Sequence, residues 1–436
     1  MPLSIRECLE QGPATSKELQ AMTGLSQSMV SRQLRGMGDS IISIRRGRSP
    51  HYAMTRNAFG GDDKLPLVMV DADGNNTTVA FIRPLAHGGF FVQPLTDLPP
   101  VLLGEEGDGL YDDLPFFLDD LRPQGFLGRQ IAKALSSQSD DFPSDPRYWN
   151  TNHVGRYLMS NGDDLPGNFK FGHQAYLRVK RAPIAVVEDD YPNLANSVMG
   201  GTIPGSSAGG EQPKFTAYCG THPAHVIVKF SPAGNDPVAQ RWRDILITEF
   251  HAAETIRNQN LPAAKTRLIE KEERLFLESQ RFDRVGEHGR LPMLSLHAID
   301  AEFTELGSSW PQVMSALYDK DLISESHLHN AEILWCFGRL INNTDMHLGN
   351  LSLGMDGNAL QILPVYDMCS MGFAPKSGEI LPYNFQPPAP TVINLANEHL
   401  TIVRKMAYDF WERVMSDNRI SDDFKAFLHT GNPIQM

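Results

Sequence analysis

The sequence predicts an α+β chain of several lobes: a small winged helix-turn-helix head, a strand-rich middle and a mostly helical end. Three observations carry this. The 436 residues exceed what one ordinary core fills, and chains of that length divide into roughly three domain-sized units. Residues 1–60 hold eight Lys and Arg against four acids in a chain of net charge −13, so a +4 head precedes a −17 remainder. The spacing of apolar residues is helical in the head, strand-like and broken by Gly, Pro and Asp through the middle, and helical again towards the C-terminus.

Hydrophobic residues at 41% and charged residues at 21% are ordinary globular values and exclude a disordered or low-complexity chain. No run approaches the ~20 consecutive apolar residues of a membrane span. The start, MPLSIRECLEQG, has neither a basic n-region nor an apolar h-region, so a cytoplasmic chain without membrane contact is expected. Cys8, Cys219, Cys336 and Cys369 lack the C-x-x-C spacing of a metal ribbon or redox motif and are expected as reduced, mostly buried thiols.

In the head, Ile5, Cys8 and Leu9 give a first helix an apolar stripe that Gly12-Pro13 ends. Thr15 with Glu18 forms a capping box for a second helix, which is expected to turn Leu19 and Met22 inward. Gly24 makes the turn to a third helix, where Val30, Leu34 and Met37 face the core and leave Ser28, Ser31, Arg32 and Arg35 outside. Ile41–Ile44 and His51–Met54 then flank a basic tip with Arg45, Arg46 and Arg48, the pattern of a wing. A helix-turn-helix of this kind sets its second helix in the major groove of duplex DNA, and wing arginines meet phosphates or the minor groove. Ser28, Arg32, Arg35, Arg45, Arg46 and Arg48 are the candidate DNA contacts. The other reading is a small helical domain with a solvated basic face that meets proteins.

Residues 61–165 show strand-like runs and a helix near Leu127–Leu135, with no catalytic constellation. Around residue 205 the small residues Gly205-Ser206-Ser207-Ala208-Gly209-Gly210 lead into Gln212 and Lys214, then two strands, the second ending at Lys229. Such glycines let backbone N–H groups close on phosphate oxygens, and a strand lysine reaches the α- and β-phosphates; a plain flexible turn is the other reading. A following amphipathic helix, residues 241–257, carries Glu249 on its apolar stripe. An acid there requires a cation, either Lys229 or a neighbouring arginine, unless it reaches solvent.

The strongest local signal is Asn343-Thr344-Asp345-Met346-His347-Leu348-Gly349-Asn350 at the end of an apolar helix. The D-x-x-x-x-N spacing is that of a phosphotransfer catalytic loop, with Asp345 accepting a hydroxyl proton and Asn350 binding Mg²⁺. A hairpin turning at Asp356-Gly357 is expected to return Asp367 close to Asn350 as a second Mg²⁺ ligand. His347 orients the loop, contacts the nucleotide or makes a structural hydrogen bond.

Taken together, these residues resemble the HipA-like serine/threonine protein kinases of bacterial toxin–antitoxin systems, in the single-chain form with a fused N-terminal winged helix. The resemblance covers roughly residues 70–430. It rests on Ser207-Ala208-Gly209-Gly210-Glu211-Gln212-Pro213-Lys214, on Gln280-Arg281-Phe282-Asp283-Arg284, and on the Asp345–Asn350 loop with Tyr366-Asp367. It implies a two-lobed kinase with a mostly helical C-lobe, divided as residues 1–60 head, 61–165 family N-terminal subdomain, 166–290 N-lobe and 291–436 C-lobe.

By the same resemblance, ATP would be held by Gly209, Gly210, Glu211, Gln212, Lys214, Lys229, the adenine hinge Gln280, Arg281 and Phe282, and by His347, Asn350 and Tyr366. Ser207 would be a site of autophosphorylation. The implied partners are a protein substrate of the aminoacyl-tRNA synthetase class and double-stranded DNA, bound as a homodimer. Gln280 stands where many relatives carry Glu, the nearest acid being Glu278, and MLSLHAIDAEF at residues 293–303 lacks the acidic run of the best-known members. Two other functions stay open: a DNA-binding regulator with a nucleotide-sensing body, and a small-molecule phosphotransferase.

Overall fold

The computed structural model describes residues 2–46, 49–161, 164–177, 183–200, 212–376, 378–385 and 397–432. Ser207, Gly209, Gly210, Glu211 and Arg48 lie outside these residues, and Arg46 is described by its backbone alone. The chain forms two compact bodies: residues 1–71, 75–122 and 148–179 make one, and residues 72–74, 123–147 and 180–436 the other. Residues 123–147, expected within the middle subdomain, thus belong to the body that holds the C-terminal half.

The first body opens with α1 (Ile5–Gln11), β1 (Ala14–Thr15), α2 (Ser16–Thr23), α3 (Gln27–Gly36), β2 (Ile41–Arg46) and β3 (Ser49–Met54). Two capping boxes start the first two helices, Ser4 with Glu7 and Thr15 with Glu18; each satisfies N–H groups that the first helical turn leaves without partners. Ile5, Cys8, Leu9, Leu19, Val30, Leu34 and Met54 pack as one cluster under a three-stranded sheet ordered β1-β3-β2. Met22, expected inward, is instead 37% exposed. On the eight-residue α2 the buried positions are Leu19 and Thr23, four apart, and Met22 falls at the edge of that stripe.

The chain continues through β4 (Leu65–Val70), β5 (Asn76–Pro84), β6 (Phe90–Pro94), β7 (Leu110–Tyr111), α4 (Phe116–Asp119), α5 (Gly125–Gln138), which belongs to the second body, α6 (Thr151–Asn161), β8 (Phe169–Phe171) and α7 (His173–Leu177). The five strands form one sheet in the order β7-β6-β5-β4-β8. The three-helix head is built onto this sheet. Ala86 N–H donates to the Met54 carbonyl (2.8 Å) and Arg56 N–H to that of Pro84 (2.9 Å). Arg83, 4% exposed, donates to the Asp39 carbonyl (3.0 Å) and pairs with Asp63 (2.8 Å). Ile42, Ile44 and Ala53 share an apolar cluster with Leu85 and Phe91, so removing residues 1–60 would uncover apolar surface and leave Arg83 short of a partner.

The second body adds β9 (Ala185–Val186), α8 (Tyr191–Gly200), β10 (Lys214–Cys219), β11 (Ala224–Phe230), α9 (Pro237–Asn258), β12 (Thr266–Lys271) and β13 (Arg274–Gln280). Its sheet runs β12-β13-β11-β10-β9. One face buries Phe215, Val226, Val228, Phe230 and Phe276 against Tyr191 and Ala195 of α8. Short pairs β14 (Arg284–Val285) with β15 (Gly289–Arg290) and β16 (Leu294–Ser295) follow, then α10 (Leu296–Phe303), α11 (Trp310–Asp319), α12 (Glu325–Leu340), the hairpin β17 (Ser352–Asp356) and β18 (Ala359–Ile362), α13 (Asn397–Ser416) and α14 (Asp422–Gly431). The hairpin loop is Gly357-Asn358, one residue later than expected, because Asp356 still pairs with Ala359. Gly357 takes φ 59°, the left-handed conformation that a tight turn needs. Cys8, Cys219 and Cys369 are buried and Cys336 half-buried, all as free thiols. Among the described residues no helix is long and apolar enough to cross a membrane.

Candidate active site

Alternation along β11 decides the central lysine. Val226, Val228 and Phe230 fill the core under α8, so Lys229 points to the opposite face, where it meets α9. There its ammonium donates to both oxygens of Glu249 (2.6 and 2.7 Å) and to Asp367. Lys229 is 6% and Glu249 4% exposed. Burial opposes the lysine's charge, but Asp367 and Glu249 hold its pKa above the ordinary value. Burial would raise Asp367 too, yet Lys229 and then Lys214 bring its carboxyl down to about 2. Glu249 is pushed up by burial against the pull of Lys229; one ammonium serves two acids.

Asp367 itself stands at φ 55°, a left-handed conformation that costs energy for a residue with a side chain and is kept where the surroundings impose it. Those surroundings come from the loop after α12. Asn343 accepts from the Asp345 N–H (3.1 Å) and donates to the Asp367 carbonyl (3.5 Å). Asn350 donates through Nδ2 to the Asp345 carbonyl (2.7 Å), which directs its other amide atom, Oδ1, away from that bond and makes it the atom able to meet a cation. Tyr366 donates to the Gly349 carbonyl (2.9 Å) and its hydroxyl lies 2.9 Å from Ser352 Oγ, so the return strand of the hairpin does come back beside the loop. The Asp345 side chain is 52% exposed, with its oxygen 3.9 Å from His347 Nε2. His347 has its own bond, accepting from the Gly349 N–H (3.1 Å).

The remaining predicted residues separate. Lys214 lies directly opposite Lys229 across β10 and β11. Both cations act on the Asp367 carboxylate, and Gln212, just upstream, is 6% exposed with its Nε2 lacking a partner among the described residues. Two adjacent cations and a buried unsatisfied donor fit a phosphate chain, and a carboxylate with an amide oxygen is the donor chemistry a hard divalent cation takes. Phe282 stacks against Tyr366 at 6.0 Å. Gln280 is exposed. Arg281 is buried and engaged by Asp283, which also holds Arg284. Glu278 faces away from Lys229: it receives Tyr191 (2.5 Å), His222 (2.8 Å) and Arg267 (3.0 and 3.1 Å).

His222 also reaches Cys219 (3.3 Å), so Cys219, His222 and Glu278 bring three groups of metal-ligand type together. Its two ring nitrogens point to different partners and the carboxylate is filled by donors, which makes the cluster a clamp on α8. Sequence reading gave no role to Asn343, Thr248 or Trp310. Yet Thr248 accepts from the Ser370 N–H (3.1 Å) and Trp310 Nε1 donates to the His347 carbonyl (2.9 Å). Only the position of Asn343 two residues before Asp345 hinted at a loop-closing side chain. In the head, Ser28, Arg32, Arg35 and Arg45 are all exposed, with Arg35 folded back on Ser31 (3.2 Å to its carbonyl).

Two family models match the chain, "YjjJ-like toxin, middle domain" over residues 61–180 and "HipA-like C-terminal domain" over residues 206–418. Toxin YjjJ of Escherichia coli (strain K12) is 36% identical over 434 residues, covering 97% of this chain and 94% of that protein. The chain belongs to the YjjJ-like toxins. Its HipA-like C-terminal domain contains every described residue of the lysine–carboxylate centre. A structure of the Shewanella oneidensis MR-1 HipA, HipB and operator DNA complex aligns with this YjjJ-like chain at a TM-score of 0.51 and 15% identity, covering 83% of this chain and 99% of that one. At that identity the likeness speaks for a shared fold, with the mixed helix and strand architecture described above.

Proposed function

We propose that this toxin is an ATP- and Mg²⁺-dependent serine/threonine protein kinase that also binds duplex DNA through its own head. The observation that carries the reading is the convergence of Lys229, Glu249, Asp367 and the Asp345–Asn350 loop on one face of the sheet. Lys229, held in place by Glu249, and Lys214 bind the phosphates; Phe282 and Tyr366 offer the flat apolar surface for the base. Asn350 and Asp367 would hold Mg²⁺, which when bound offsets the charge on the transferring group. Asp345 takes the proton from the acceptor serine hydroxyl as its oxygen bonds to the γ-phosphorus and the bond to the β-phosphate oxygen breaks, leaving ADP. The acceptor is a protein, of the aminoacyl-tRNA synthetase class by resemblance. Phosphoproteomics of cells expressing the chain beside its Asp345→Ala variant tests this: phosphoserine on proteins in the first and not the second supports it, and phosphate on metabolites alone sinks it.

Ser207 is the expected regulatory serine. Phosphate there adds about −1.5 to −2 charges where ATP phosphates are cradled, so it repels them and competes for the same N–H groups. Mass spectrometry should find Ser207 phosphorylated in inactive protein only; full occupancy in active protein removes the switch.

The exposure of Ser28, Arg32 and Arg35 on α3 and of Arg45 on β2 supports the reading that the head meets DNA. Because the head shares a cluster with the middle sheet, the test uses point variants of the full chain. Arg45→Ala should lower affinity for all duplexes alike and reduce the slope of log K against log salt by about 0.9 for each phosphate it no longer neutralises. Arg32→Ala should relax sequence preference. Binding as a dimer doubles that slope, and unchanged affinity and slope in both variants would show that the head meets something other than DNA.

A further inference from the structure

Helix α9 carries Glu249, but it also carries a stripe that the lysine does not need. Arg241, Asp244 and Thr248 recur at i, i+3 and i+7 and therefore share one side of the helix. Arg241, 8% exposed, donates through Nη1 to the carbonyls of Phe373 (3.0 Å) and Leu381 (3.4 Å). Its guanidinium carbon lies 3.6 Å from the centre of the Tyr383 ring. That ring is stacked on Phe424 (4.9 Å) and Phe427 (5.2 Å) of α14. Thr248 receives the Ser370 N–H, and Asp244 receives Ser421 through both its N–H (3.0 Å) and its hydroxyl (2.6 Å). Among the described residues no carboxylate forms a direct ion pair with Arg241; its charge is met by carbonyl dipoles, an aromatic face and the attraction of nearby Asp244.

These contacts close a ring. From Lys229 the path runs to Glu249, one residue along α9 to Thr248, across to Ser370, back three residues to Asp367, and again to Lys229. Arg241, two turns nearer the start of α9, ties the next stretch of the same segment, Phe373 to Tyr383, to the same helix. A helix turns by about 100° per residue, so Glu249 sits beside the strapped stripe, and any roll of α9 that loosens the strap also moves Glu249.

We propose that Arg241 is a positioning residue: by pinning the segment that follows Asp367 onto α9, it keeps Glu249 on Lys229 and Asp367 facing them. The inference rests on the kinase reading for its effect on rate, but not for its structural part. It makes the order of residues 371–376 and 378–383 a condition for the phosphate-binding lysine to be held in place.

The test compares the full-length wild type with Arg241→Ala and, should that variant not fold, Arg241→Met, which keeps the bulk without the charge. Hydrogen exchange of peptides spanning residues 237–258 and 371–383 should speed up together in the variants, while the head exchanges as before. Phosphoryl transfer from γ-labelled ATP, read as phosphoserine in a single turnover at saturating nucleotide, should slow by about 10- to 100-fold, the scale of a displacement of about 1 Å at a reacting centre. Affinity for a non-hydrolysable ATP analogue should change much less. In a Glu249→Gln background the Arg241 substitution should add little further loss, since both act through one contact. Unchanged exchange in α9, or rate losses that multiply in the double variant, overturn the inference. A wild type that transfers no phosphate sinks the kinase reading alone, and the exchange result then decides the strap by itself.

Discussion

Asp345→Ala and Asp367→Asn should each lower phosphoryl transfer by about two to four orders of magnitude, with the fold intact. For Asp345 the expected loss is that of a general base, ~10²- to 10⁴-fold, and its side chain is half exposed, so its removal uncovers no core. For Asp367 the amide keeps the shape and tolerates the left-handed backbone found there at φ 55°, but it no longer offers a charge to a divalent cation or to Lys229. Thermal unfolding of both variants beside their single-turnover rates checks the claim. Near-normal transfer by either purified variant would remove the role assigned to that residue.

Lys229→Met should be costly in a different way. It leaves Glu249 and Asp367 near one another without the ammonium that serves both, and breaking a buried pair from one side costs on the order of 3–5 kcal/mol. Urea unfolding should show that loss together with absent phosphoryl transfer. Adding Glu249→Leu to Lys229→Met should recover much of the stability and none of the activity, because an apolar side chain no longer needs the cation. If the single variant is as stable as the wild type, the pair is not the closed, low-dielectric contact that 4% and 6% exposure indicate.

Much of this arrangement was legible because its signals are local. A capping box joins residues three apart, as Thr15 and Glu18 show. The D-x-x-x-x-N spacing sits within one loop, and the hairpin that returns Tyr366 beside Gly349 turns on a single Gly with positive φ. Even the partner of Glu249 was readable in outline, since an acid on an apolar stripe must find a cation. Met22 was misplaced because a helix of eight residues has room for few buried positions, and Leu19 and Thr23 take them.

The order of the elements, the charge division between head and body, and the residue types able to do chemistry are thus written in the chain itself. Packing settled which of several cations Glu249 meets, that Lys229 serves Asp367 as well, and that Glu278 turns to the far face of its sheet. It alone set the head onto the middle sheet through Arg83 and Ala86, and brought Arg241 onto carbonyls more than a hundred residues away. The reason is physical. Caps, turns and periodicity depend on neighbours within a few positions, whereas the choice of partner for a buried charge depends on which distant segments the packed core brings within about 3 Å.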